Sequence, residues 1–234
     1  MPHVTIAVDA GSSLDRILPA ALLLASVQNA DLQCVVSQNR ELLKAADLSC
    51  VYETGSRSAL RHKVNSTSLR AQLSKFAESI KQRLSREAER WDIPWHIEES
   101  EDSLESLLAN TTDSTIISDQ SIRMAAGLRS GIRQSHPTSQ TPVVVVVDDH
   151  SEAASNLLNL ARRMVAAGPH NHGIEVLHTR DASQDSLRSV LRHHLPVVLL
   201  IGRHQNLVCD SRWAKELTSV RCPFAIVPSA EIRA

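Results

Sequence analysis

Five consecutive valines, Val143 to Val147, constrain this chain more than any other feature. A β-branched run with no polar member has no face to offer water. It predicts a strand buried on both sides, the setting of a parallel sheet covered by helices. The pattern elsewhere agrees. VTIAV, from Val4 to Val8, reads as a first strand closed by Asp9-Ala10-Gly11. Ser12 or Ser13 then caps a helix with Leu14, Ile17, Leu18, Ala21, Leu22 and Ala25 at helical spacing. Pro19 inside that helix predicts a kink or marks its true first turn. DLQCVVS, from Asp31 to Ser37, is the second strand.

Gln38 to Asn65 reads as a long irregular segment. The clearest helix follows from Ser66 to Trp91, with Leu69, Leu73, Phe76, Ile80, Leu84 and Trp91 along one stripe. Pro94 stops it, PWHIEE is a short alternating strand, SLESLLAN a short helix and STIISD a buried strand. The weakly patterned Gln120 to Gln140 holds the boundary, so a first unit spans residues 1–135 and a second, shorter one 141–234. After the valine strand, Ser151 caps a helix with Ala154, Leu157, Leu158, Ala161 and Met164 or Val165 inward. GIEVLHT is the next strand; a helix from about Gln184 to His194 leads into PVVLLIG, and another near Asp210 to Val220 into CPFAIVP. Strands that alternate with helices imply an α/β fold. The predicted architecture is two doubly wound, parallel-sheet, Rossmann-like units in tandem, the second shortened by one helix–strand unit.

Composition narrows the function classes. With 42% hydrophobic and 22% charged residues the chain is globular, and with 3% aromatics its core rests on Leu, Val, Ile and Ala. A net charge of −1 argues against a general DNA or anionic-membrane binder. The four cysteines, Cys34, Cys50, Cys209 and Cys222, are scattered, as expected of reduced thiols in the cytoplasm. MPHVTIAVDAGSS lacks a basic leader and LPVVLLIG is too short to span a bilayer, so neither a signal peptide nor a membrane segment is expected.

Four segments resemble the universal stress protein family. AVDAGSS (Ala7 to Ser13) is similar to the family's first strand and acidic turn, and VVDDHSEAAS (Val146 to Ser155) to the same element again. LIGRHQ (Leu200 to Gln205) resembles the fourth strand and the start of the phosphate loop, and VRCPFAIVP (Val220 to Pro228) the closing strand. The resemblance implies an adenine-nucleotide α-hydrolase-like unit in tandem, with pairing through the closing strand, as a homodimer or as an intramolecular pseudo-dimer. Asp9 and Asp148 match the position that contacts adenosine in nucleotide-binding members. Those members also carry G-x-x-G and a later G-S or G-T, where backbone N–H groups approach the phosphates. Here Gly202 is followed by Arg203, His204, Gln205 and Asn206 with no later glycine, and the segment after Asp119 opens Gln-Ser-Ile. The resemblance therefore implies a regulatory member without the usual ATP loop, no resident cofactor, and a protein partner or second copy as ligand.

The residues leave two rivals. One is a sensor of ATP- or AMP-type nucleotides with an altered phosphate site at Asp148, Gly202 and Arg203, the arginine replacing backbone donors by charge. The other is an ATP-dependent enzyme of the PP-loop type, for which DAGSSLD (Asp9 to Asp15) has one glycine too few. The plainer reading of Asp9 and Asp148 is that each caps the following helix. TGSRS at Thr54 to Ser58 reads as a loop, and the nearby Arg57, Arg61, His62, Lys63 and Arg70 as a solvated surface. The cluster Glu98, Glu99, Glu101, Asp102 and Glu105 suits a strand-to-helix junction. Among eleven histidines, His170, His172, His193, His194 and His204 lack the convergence of three or four ligands that a metal requires, so no metal site is expected.

Overall fold

The valine run is a strand buried on both sides. In a computed structural model of the chain it forms part of Pro142–Asp148, and Val143 to Val147 are at most 4% exposed. The structure describes residues 2–10, 12–38, 40–48, 52–54, 61–63, 65–111, 113–119, 142–148, 150–168, 173–178, 195–203 and 222–228. The predicted boundary segment Gln120 to Gln140 and the helices near Gln184–His194 and Asp210–Val220 lie outside them.

The elements in chain order are β1 (His3–Val8), α1 (Leu14–Gln28), β2 (Asp31–Ser37), α2 (Arg40–Ala46), β3 (Tyr52–Thr54), β4 (Arg61–Lys63) and α3 (Ser66–Arg90). They continue with β5 (Trp95–Ser100), α4 (Leu104–Asn110), β6 (Thr115–Ser118), β7 (Pro142–Asp148), α5 (Glu152–Ala167), β8 (Gly173–His178), β9 (Leu195–Gly202) and β10 (Phe224–Val227). Among the described residues, eight strands form one sheet in the order β5-β2-β1-β6-β10-β9-β7-β8. Every neighbouring pair is parallel except β6 with β10. The fold is α/β and Rossmann-like.

β1 lies between β2 and β6, and β7 lies between β8 and β9. Because β10 follows the direction of β9 and opposes β6, the two sets of strands run in opposite senses. The carboxyl ends of β1 and β6 therefore face one edge of the sheet, and those of β7, β8 and β9 the other. β10 joins the sets, with Ala225 beside Ile117 on one side and Leu200 on the other.

Alternation along the strands divides the core. Val144 and Val146 join Val4, Ile6, Val8, Val198 and Leu200 beneath α1, α3 and α5, which contribute Ile17, Leu24, Ile80, Leu84, Leu157 and Met164. Val143, Val145 and Val147 face the other way with Ile116, Leu199, Ile201 and Phe224, where Leu104 and Leu108 of α4 also pack. Each such side chain stabilises the fold by roughly 1.5–3 kcal/mol relative to exposure. Among the described residues, no helix is long and apolar enough to cross a membrane.

Several local expectations are corrected. Pro19 does not mark the first turn of α1 but sits inside it on the exposed side, where water can serve the carbonyl that its missing N–H leaves. The segment Gln38 to Asn65 is not irregular throughout: α2 buries Leu43 and Ala46, and β3 and β4 form an antiparallel hairpin. Trp91 follows α3 and is 37% exposed, so it leaves the stripe. On α5 Ala154, Leu157, Ala161 and Met164 are buried as expected and Leu160 joins them, whereas Leu158 is half-buried.

Candidate functional site

In an open α/β sheet the carboxyl ends of the strands are where ligands are taken up. The antiparallel junction at β10 creates two such edges, and Asp9 belongs to one, Asp148, Gly202 and Arg203 to the other.

At the first edge the turn after β1 is tied by Ser12. Its backbone N–H donates to the Asp9 carbonyl at 3.0 Å, its hydroxyl donates to Asp9 Oδ1 at 3.2 Å, and its Oγ accepts the Asp9 N–H at 3.0 Å. Ser13 occupies the N-cap of α1, yet its hydroxyl makes no capping bond. The carboxylate of Asp119, directly after β6, takes that place. Its Oδ2 accepts the Ser13 N–H at 2.8 Å and the Arg16 guanidinium at 2.8 Å. The Asp119 side chain is 1% exposed, and its Oδ1 is buried without a hydrogen-bond partner. Burial pushes its carboxyl above the ordinary aspartate range, against the pull of the Ser13 N–H and Arg16, while the charge of Asp9 adds to the rise. The amino end of α1 thus already carries an anion, and that anion belongs to the chain.

At the second edge Asp148 ends β7 and is half-buried. Its Oδ1 accepts the backbone N–H of His150 at 2.7 Å, a local turn of the kind aspartate favours. His150 has φ 64°, in the left-handed region that histidine enters more readily than most residues. His178 ends β8 and pairs in register with Asp148, so both side chains leave the same face of neighbouring strands. His178 Nδ1 lies 3.1 Å and His150 Nδ1 3.6 Å from Asp148 Oδ2. The two imidazoles stack with centroids 5.0 Å apart and planes 14° from parallel. Just beyond, Ser151 Oγ accepts the Ala154 N–H at 3.1 Å and caps α5 as predicted.

Gly202, buried, pairs with Val227 of β10. Arg203 turns across to the other half of the chain. Its guanidinium donates to the carbonyls of Leu108, at 3.4 Å, and Thr111, the open carbonyls at the end of α4. A cation there also complements the helix dipole.

The histidines singled out in the sequence, His170, His172, His193, His194 and His204, lie outside the described residues, as does most of TGSRS. Lys63 and Arg70 are exposed. Of the acidic cluster, Glu98, Glu99, Glu101 and Asp102 are exposed at the β5 edge, where Glu98 accepts from Gln33 at 2.9 Å and Glu101 stands 3.8 Å from Arg40. Cys34 and Cys222 are buried, and burial pushes both thiols up to about 12. Cys50 and Cys209 lie outside the described residues. Sequence reading missed His150 and His178 because it sought histidines close together along the chain. The available signal was positional: each stands at the end of, or just beyond, a predicted strand.

No protein-family profile matches the chain, and no curated protein matches it. Among solved structures it is similar to a universal stress protein from Archaeoglobus fulgidus, with 9% identity over 96% of each chain and a TM-score of 0.39. The strand order, rather than that likeness, defines the fold.

Proposed function

We propose that the chain is a non-catalytic regulatory protein of the universal-stress type, acting in the cytoplasm through contact with another protein or a second copy of itself, without ATP as a resident ligand. One observation carries this reading. The Asp119 carboxylate, buried against the Ser13 N–H and Arg16, holds the position at the amino end of α1 where a phosphate would be received. An entering phosphate would meet a like charge in a desolvated setting. Two further features support it. Arg203 is engaged with the carbonyls of Leu108 and Thr111, and neither half carries the glycines of the phosphate loop.

The test is a thermal-shift panel of ATP, ADP, AMP and cyclic nucleotides, with magnesium as the only divalent cation. The expected outcome is no stabilisation. A ligand at 100 times its dissociation constant would add about 2.7 kcal/mol, an effect well within detection. A shift with any nucleotide replaces this reading with the sensor centred on Asp148, Gly202 and Arg203. Phosphate release that Asp9→Ala abolishes replaces it with the enzyme.

A further inference from the structure

Asp148, His150 and His178 stand apart from the groups that close the first edge, and the regulatory reading makes no use of them. One ligand atom from each lies within 4.8 Å of the other two. Ligands held about 2.0–2.2 Å from a tetrahedral ion sit about 3.3–3.6 Å from one another, within a few tenths of an ångström of the two imidazole–carboxylate approaches here. The 3.1 Å and 3.6 Å approaches of the two Nδ1 atoms to Asp148 Oδ2 need only side-chain adjustment to surround a cation.

The backbone prepares the group. The His150 N–H holds Asp148 Oδ1 and so fixes the carboxylate, leaving Oδ2 turned to the imidazoles. In-register pairing of β7 and β8 sets His178 beside Asp148 without any loop closure. The side chains are 23% exposed for Asp148, 49% for His150 and 44% for His178, so an ion can enter from solvent.

We infer that Asp148, His150 and His178 form a binding site for one divalent first-row transition-metal ion of the zinc class. Two imidazoles and one carboxylate suit zinc, cobalt or nickel rather than calcium or magnesium, which prefer oxygen shells. Three protein ligands leave a coordination position open, as in exchangeable or catalytic sites rather than closed structural ones. Water or a small anion fills it.

Calorimetric titration of chelator-treated full-length protein with Zn2+ alone tests the site, with Co2+ as a second probe read by its visible d–d bands. Wild type is expected to bind one ion at this site. His150→Ala, His178→Ala and Asp148→Asn should each weaken that step by roughly 10–100-fold, the loss that even an outer-shell partner causes. Asp148→Asn keeps an oxygen acceptor for the His150 N–H, so it separates ligation from folding of the turn, and His178→Gln serves the same end on β8. A double variant, His170→Ala with His172→Ala, should bind as wild type does. The inference is overturned if wild type binds no Zn2+, if the three site variants bind it unchanged, or if only the double variant loses it. The nucleotide panel contains no transition metal, so its outcome and this one are independent.

Discussion

The turns after β1 and β7 share a pattern in sequence, an acid followed by serines and an apolar helix, yet they have settled into opposite states. After β1 the acidic groups are tied to the chain: Asp9 is held by Ser12, and the buried Asp119 binds both Ser13 and Arg16. After β7 the helix is capped by its own Ser151, which leaves Asp148 to His150 and His178 on a half-open surface. The difference teaches that what a strand-end acid does is decided by the neighbouring strand. β6 delivers a carboxylate to α1, whereas β8 delivers an imidazole to Asp148.

If that contrast is right, Asp119→Ala should cost about 2 kcal/mol, because it strips a charged and a backbone hydrogen bond from a buried site. Asp148→Ala, measured in chelator, should cost about 1 kcal/mol or less, since its contacts with His150 and His178 are partly exposed. Urea midpoints of the two variants decide this, and equal losses would erase the distinction between the edges. The caps sharpen it further. Ser151→Ala is expected to cost about 1 kcal/mol. Ser13→Ala should stay within about 0.5 kcal/mol of wild type, because Asp119 rather than the Ser13 hydroxyl serves the start of α1.

The smallest effect is in pH. The Asp119 carboxyl is raised in the fold, so between its unfolded and folded values the native state holds more protons than the unfolded chain. Stability from this group is therefore full at low pH and declines as pH rises through the raised value. Urea denaturation of wild type and Asp119→Asn over acidic to neutral pH should show the wild type losing ground relative to the variant with rising pH. A constant difference would mean that Asp119 is not desolvated.

Most of the sheet was legible because its strands are apolar runs ended by polar residues, as β1, β2, β6 and β7 show. The helices α1, α3 and α5 were legible from spacing, and Ser151 from its place before an apolar helix. What escaped depends on residues far apart in sequence. The hairpin of β3 and β4 has three residues in each strand and no apolar alternation to announce it. Asp119 as the anion at α1 requires knowing that β6 lies beside β1, and Arg203 as a cap on α4 requires knowing that the two sets of strands run in opposite senses. The pairing of Asp148 with His178 is likewise a matter of register, which no local pattern in GIEVLHT encodes. The glycine loop's absence was plain in the sequence; the Asp119 carboxylate at the start of α1 was not.

β10 also bears on the order in which the chain can assemble. A ribosome that has made residues 1–119 has supplied β1, β2, β5 and β6, but the outer edge of β6 finds its partner only in Phe224–Val227. More than a hundred residues separate the two strands in sequence, so their closure is a non-local contact and comes late. Until then both β6 and β9 present unpaired backbone along an apolar strand, the kind of edge that recruits other chains. A single four-residue strand thus acts as the keystone of the sheet, and the newly made chain is most vulnerable to aggregation in the interval before it is set.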